Sequence, residues 1–187
     1  MERLVVYQNE VAMENSNNLI FLDEFGCQQN MALPYGWAPE GQRALAWKPT
    51  DHGVSINTIG ALSISGLLTA MCFADTLHGG VYAFFVQHFL LHFLHPGIIV
   101  IADNARPHYD EDALEMIAQT GAKMLFLPPY RPELNPIENA WSIIKHQIKK
   151  TAARTKEALY QAIADALKII DQNQALAFFR HCGYSSN

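Results

Sequence analysis

Three carboxylates in this chain stand where a fold can gather side chains. Asp23 closes the apolar run Leu19 to Leu22, and Asp103, within Ala102 to Asn104, follows the apolar run Ile98 to Ile101. Near-continuous apolar runs of this kind suit buried strands of a parallel sheet, and ligands bind beyond the carboxyl ends of such strands. The third carboxylate, Glu138, belongs to LPPYRPELNPIENAW, Leu127 to Trp141. Pro128, Pro129 and Pro132 fix φ and lack an amide donor, so this segment runs as a stiff extended connector and cannot be a central strand or a helix interior. A helix then begins. Asn135 suits the N-cap, Pro136 the first helical position, and Ile137, Ala140, Trp141, Ile144 and Ile148 recur at helical spacing.

Glu138 sits in the first turn of that helix, where it has a simple structural use, bonding back to the cap's backbone amide as in a capping box. It has a chemical use if the sheet brings Asp23 and Asp103 beside it. Crowded carboxylates repel one another unless cations lie between them. Hard oxygen donors select Mg2+ or Mn2+. Two such ions, about 4 Å apart, activate a water or a 3′-hydroxyl and stabilise the leaving oxygen in an in-line attack at phosphorus.

The blocks around these carboxylates carry a more specific signal. LDEFG from Leu22, VIADNARPH from Val100 and LPPYRPELNPIENAW, with 34 residues between Asp103 and Glu138, resemble the three catalytic blocks of mariner-superfamily DDE transposases, the bacterial insertion-sequence branch above all. PYGWAPEGQR at Pro34 to Arg43 resembles that branch's tryptophan and glycine motif, and FRHCGY at Phe179 to Tyr184 resembles its closing segment; the likeness spans about residues 19 to 184. Ordered blocks at proper spacing say more than one short motif.

The resemblance implies an α/β, ribonuclease-H-like domain with a mixed five-stranded sheet flanked by helices. It implies metal-dependent DNA strand cleavage and strand transfer by Asp23, Asp103 and Glu138, holding two Mg2+ or Mn2+ ions, with Asp23 bridging them and no covalent protein intermediate. Asn104 and His108 match the second block and would orient a ligand or contact a phosphate; His108 equally suits a helix-start cap. Glu24 falls on the opposite face if the strand continues, which makes it a supporting polar residue instead of a ligand. Two positions depart from the family pattern: Phe25 stands where a small hydroxylated residue is common, and Arg131 where a serine is common in the proline-rich turn.

Composition limits this reading without producing it. Half of the 187 residues are hydrophobic, enough for one substantial core and most simply one domain. The formal charge of −5 at pH 7 is unexpected for a chain that handles DNA. It argues against tight nonspecific binding by this chain alone and puts the weight on local basic patches. Cys27, Cys72 and Cys182 have neither metal-ligand spacing nor a framework pattern, which suits a reducing cytoplasm. Nothing resembles a cleavable signal. Val81 to Ala102 is largely apolar, but Gln87, His88, His92 and His95 interrupt it and Pro96-Gly97 breaks it, so it reads as a helix and then a strand and not as a membrane span.

Residues 1–18 read as a polar lead-in, a helix or strand ending in the turn ENSNN, and residues 19–187 as the catalytic domain. Mariner-type transposases carry an N-terminal helix-turn-helix region that reads the element's ends. The lead-in has no room for one, which suggests a second reading frame, a remnant or an excised domain. Strands are expected at Leu19 to Asp23, His52 to Leu62, Gly66 to Ala74, Ile98 to Asp103 and Ala122 to Leu127, the second and third joined by a turn at Ser63 to Gly66. Helices are expected at Gly80 to Leu94, at Tyr109 to Thr120 ending on Gly121, at Thr155 to Ile170, and through Phe178 and Phe179.

The implied partner is DNA, both element ends and target, bound by a homo-oligomer, with a separately encoded helix-turn-helix subunit or frameshift partner supplying end recognition. Arg43 and Lys48, with Trp37 and Trp47, lie in a long loop after the first strand and suit phosphate contact and base stacking; the same tryptophans suit covering a sheet edge. Arg131 can add a phosphate contact. Lys145 and Lys149 follow Glu138 and Ser142 on one helix face, near Lys150 and Arg154, as a track for DNA, though lysines late in a helix also satisfy its macrodipole. Two alternatives remain. His88, His92 and His95 have helical spacing for zinc, without the glutamate of HExxH. A truncated or domesticated remnant would keep the fold as a binding or dimerisation module.

Overall fold

The first strand has two apolar sides. Leu19, Phe21, Phe25 and Cys27 enter one buried cluster and Ile20 and Leu22 another, so the sheet must be covered on both faces. A computed structural model describes residues 2–12, 14–45 and 53–184. In chain order its elements are α1 (Glu2–Ala12), β1 (Leu19–Gln28), β2 (Ser55–Ser63), β3 (Gly66–Phe73), α2 (Gly79–Phe85), β4 (Ile99–Ala102), α3 (Glu111–Gln119), β5 (Lys123–Phe126), α4 (Pro136–Thr151), α5 (Lys156–Leu167) and α6 (Gln172–His181).

The sheet has five strands in the order β3-β2-β1-β4-β5. The β1–β2 and β2–β3 pairs are antiparallel, and β1–β4 and β4–β5 are parallel. This is the mixed five-stranded sheet expected from the sequence. Side chains of α1, α4, α5 and α6 fill the cluster on one face, and side chains of α2 and α3 fill the other. The anticipated stripe on α4, Ile137, Ala140, Trp141, Ile144 and Ile148, is buried throughout. Each large apolar side chain so buried contributes roughly 1.5–3 kcal/mol.

Several boundaries differ from the sequence reading for identifiable reasons. The first strand does not stop at Asp23; it runs to Gln28 because Phe21 through Gln28 pair continuously with β2, and Phe25 and Cys27 keep burying the same face. The expected helix from Gly80 to Leu94 changes its hydrogen bonding twice, passing from α2 into a π-helical turn at Val86–Leu90 and a 3-10 turn at Leu91–Phe93. The expected helix at Tyr109 to Thr120 is a 3-10 turn, Arg106–Tyr109, followed by α3. Asp110 caps α3 by accepting from the Ala113 amide at 3.1 Å. Thr155 caps α5 as expected. Among the described residues no helix is long and apolar enough to cross a membrane.

Candidate active site

Parallel pairing between β1 and β4 brings the two aspartates side by side. Phe21 faces Ile101 in the register, and Asp23 and Asp103 each lie two residues further on, on the same face by alternation. β4 has ended by then while β1 continues along β2, so a groove opens between them. Glu138 enters from above on the first turn of α4. Asp23, Asp103 and Glu138 all line this groove of about 460 Å³, with Asn104, Asn135 and the proline-rich turn forming the rest of its wall.

What holds α4 over the groove is partly a residue the sequence reading passed over. Gly60 is the strand partner of Asp23, and a Cβ built on it would meet Trp141 Cη2 at 2.6 Å. Only glycine lets the indole lie this close to the sheet, and a glycine inside a strand pattern is the sequence signal for such an approach. The chain's two ends provide a second brace. Tyr184 Oη donates to the Leu134 carbonyl at 2.6 Å, and Tyr7 Oη hydrogen-bonds to Tyr184 Oη at 2.7 Å. The turn leading into Glu138 is therefore anchored by α1 and by the segment after α6.

The capping-box use of Glu138 is not realised. Asn135 occupies the cap, yet its side chain makes no capping bond. Its own amide donates to the Pro132 carbonyl at 2.9 Å. The Glu138 carboxylate accepts no hydrogen bond among the described residues.

The electrostatics are those of crowded acids. Asp23 is buried, and burial first, then the charges of Glu138, Glu24 and Asp103, hold its carboxyl well above the usual range. Its Oδ2 has no hydrogen-bond partner. Asp103 moves the other way: the hydrogen bond from His108 Nδ1 to Oδ1, at 2.8 Å, outweighs partial burial and lowers it, helped by the Ala105 amide at 2.9 Å. His108 is fully buried against Tyr82 and places Nε2 3.8 Å from Glu24 Oε2. It is thus neither a helix cap nor a surface group for phosphate. Glu24 lies on the α2 and α3 side, as strand alternation required, and burial raises its carboxyl while the nearby His108 opposes the rise.

These oxygens fit a hard divalent ion. Asp23 and Asn135 both line the groove, each has a buried oxygen without a hydrogen-bond partner, Oδ2 and Oδ1, and carboxylate and carboxamide oxygens are the donors such ions prefer. The side chains do not converge as they stand: among the described residues no three His, Cys, Asp or Glu groups are close enough to hold one ion. The Glu138 side chain is exposed, although Pro136 and Ile137 of the same turn are buried. The histidine alternative fares worse, because the turns after α2 end at Phe93 and leave His95 beyond them, bonded to the Pro96 carbonyl, while His88 packs on Phe84.

The remaining predicted residues spread along the surface. Asn104 donates to the Leu127 carbonyl and accepts from Tyr109 Oη at 2.7 Å, so it ties the loops after β4 and β5 together. Arg131 is exposed and paired with Glu133 at 3.0 Å. Lys145 Nζ stands 5.8 Å from the centre of the Phe25 ring. The charges of Lys145 and Lys149 both reach the Cys27 thiol, which burial pushes up to about 11. Arg43 is exposed in the loop after β1, where Trp37 is fully displayed; Lys48 and Trp47 lie outside the described residues. Tyr130, at the groove's rim, is 98% exposed and has a left-handed backbone, φ 59°.

The fold is shared with solved transposase structures. The Mos1 transposase paired-end complex with left transposon end aligns with a TM-score of 0.79 and 12% identity, covering 97% of this chain and 57% of that one. A mariner Mos1 paired-end complex with Mg gives 0.75, 14%, 97% and 58%. The catalytic domain of Mos1 mariner transposase gives 0.68, 11%, 97% and 85%. The present chain therefore spans a little over half of the Mos1 chains in those complexes. Comparison with curated protein sequences gives no match. A family model described as DDE superfamily endonuclease matches residues 18–160, a stretch that runs from the start of β1 into α5 and includes every wall of the groove; this chain belongs to that family.

Proposed function

We propose that this chain is the catalytic domain of a mariner-superfamily transposase, of the bacterial insertion-sequence branch, and that Asp23, Asp103 and Glu138 are its metal-binding catalytic residues. The observation that carries the reading is that three carboxylates from three separate sequence blocks line one groove in a DDE-family fold. Mos1 paired-end complexes have been solved with Mn and with Mg, which supports the same ions here. When bound, two such ions would supply an activated water or 3′-hydroxyl and charge stabilisation at the leaving oxygen.

The chain's own residues prepare that chemistry. Asp23, buried and with Oδ2 lacking a hydrogen-bond partner, would be a ligand of the ions. His108 fixes one oxygen of Asp103 and leaves the other for the groove. The Glu138 side chain is exposed on a turn whose Pro136 and Ile137 are buried, so the side chain alone would turn toward ions in the groove. Lys145 and Lys149 run from Glu138 along α4 and would hold a DNA backbone, and Arg43, in the loop after β1, would meet a second segment or protomer, a role that the sequence also suggests for Lys48. Arg131 has less to offer a phosphate while it is paired with Glu133. With a charge of −5, the chain depends on oligomerisation and on an end-reading helix-turn-helix region, in the same or another polypeptide, for tight binding.

Glu138→Gln tests this reading, since the amide keeps shape and hydrogen bonding but loses the charge that an ion needs. Metal-dependent nicking of a pre-assembled end substrate, with an end-binding region supplied by fusion or in trans, should collapse. Folding, followed by a denaturant melt, should be unchanged or strengthened by relief of repulsion. Nicking at the wild-type rate by the glutamine variant would refute the third ligand. Absence of metal-dependent nicking in the wild type itself, so supplied, would favour a remnant acting as a binding module.

A further inference from the structure

We infer that Asn135 is a further oxygen donor of the metal groove, directed at the ion that Asp23 and Glu138 would hold; this rests on the metal-dependent reading above. Asparagine at a helix N-cap ordinarily accepts a hydrogen bond from the second or third helical amide, but here the side chain makes no such bond. The residue is 3% exposed, and its Oδ1 has no partner. A buried carboxamide oxygen without a partner is costly, and native proteins retain one where a ligand or a water answers it. The side chain lines the groove that holds the three carboxylates, and the groove's other buried, unpartnered oxygen is Asp23 Oδ2.

The backbone of Asn135 is fixed on every side. Its amide donates to the Pro132 carbonyl at 2.9 Å, its carbonyl accepts from the Glu138 amide at 3.1 Å, and the preceding carbonyl, that of Leu134, is held by Tyr184. The position is set before any ion arrives. A neutral oxygen is also the donor this place calls for: carboxamide oxygens are ordinary ligands of hard divalent ions, and this one adds coordination without adding another negative charge to a site where Asp23 already feels three others.

The test is Mn2+ binding by calorimetry, beside thermal melts without metal, in the wild type and in Asn135→Ala, Asn135→Ser and Asn135→Asp. Serine is a good cap but too short to reach the groove, so it protects against a variant that merely frays the helix. The alanine and serine variants should melt at or above the wild-type temperature without metal and bind Mn2+ roughly tenfold or more weakly, the scale seen when residues supporting a metal site are removed. The aspartate variant should bind at least as tightly as the wild type. Wild-type Mn2+ affinity in both short variants overturns the inference, as does a lowered metal-free melt in alanine that serine restores, because that pattern belongs to a cap. If the wild type itself binds no Mn2+, the metal-dependent reading fails first; if it binds and the variants match it, only the role of Asn135 fails.

Discussion

Gly60→Ala should damage catalysis more than stability, although residue 60 lies on a strand that contributes no carboxylate. The added Cβ would stand 2.6 Å from Trp141 Cη2, 3.2 Å from Cζ2 and 3.3 Å from the Thr69 carbonyl oxygen. Carbon atoms settle at about 3.5–4.0 Å, so the indole must retreat by roughly 1 Å. Trp141 is fully buried and its ring centroid lies 4.6 Å from that of Phe25, which leaves no room to swing aside, so α4 has to move as a body. Overpacking of this kind costs about 1–3 kcal/mol, and removing a glycine from a strand returns about 0.5–1 kcal/mol. The net loss is at most about 2.5 kcal/mol, which lowers the melting temperature by no more than roughly 10 °C for a chain of this size.

Glu138 rides on the same helix one turn before Trp141, and Asp23 sits opposite Gly60 on the neighbouring strand. The shift therefore separates two of the proposed ligands directly, and a misplacement near 1 Å costs on the order of 10²-fold in rate. The assay is metal-dependent nicking of the pre-assembled end substrate, measured well below the melting temperature of the variant. Adding Trp141→Phe removes the outer indole ring and should recover at least a tenfold part of the lost rate. Wild-type nicking and melting in Gly60→Ala would refute the reasoning, and a double variant no faster than the single one would show that the loss has another origin.

Three other expectations follow from the same geometry. Asp23 is raised, so the stability it contributes is full below the ordinary carboxylate pKa and is lost as pH rises through its raised value, while Asp103 is lowered, so its contribution is lost only as pH falls through its lowered value. Acidifying the metal-free protein from neutrality toward about pH 4 should accordingly raise the melting temperature through Asp23, and a melt series in which Asp23→Asn shows the same rise would contradict this. Tyr184→Phe removes the donor to Leu134 and the partner of Tyr7, and urea melts should show a loss of roughly 1–3 kcal/mol, larger than for Tyr7→Phe, which leaves the bond to Leu134 in place; equal losses would mean that the brace on the proline-rich turn is unimportant. DNA binding by this chain alone should be weak, with little sequence preference, and should fall steeply with salt; salt-tolerant, selective binding to an inverted repeat in a filter or gel assay would count against it.

The strands and the α4 stripe were legible because burial imposes period and composition on them: Leu19 to Leu22 and Ile98 to Ile101 could hardly be anything but covered strands. Asp103 was legible as the residue that follows a strand, Asp23 stands within β1 and not at its end, and the face of Glu24 followed from alternation alone. What the sequence hid was long-range pairing. Nothing local in LDEFGCQ says that the strand passes the acids, because only β2 can reward that extension. Asn135 reads as a cap by every local rule, and its side chain departs from that use only in the folded groove. His108 looked like a cap or a phosphate contact, yet packing against Tyr82 buries it between Asp103 and Glu24.

The construction of the groove also explains why the acids are divided between two kinds of support. Asp23 lies in the sheet and Asp103 directly beyond it, with His108 fixing one of the Asp103 oxygens, so their backbones are set by the β1–β4 register and by a buried imidazole. Glu138 is delivered by a helix whose place depends on contacts remote from the carboxylate, Trp141 against Gly60 and Tyr184 against Leu134. Three carboxylates locked together without cations would repel one another at close range. With the Glu138 side chain exposed, the charges stand apart in the metal-free protein, and in the proposed reading ions would draw them together, with the strain on the fold limited to the buried Asp23. The consequence is that Glu138 is governed by residues that never touch it, which is why a single methyl group at Gly60 is expected to act on the chemistry through α4.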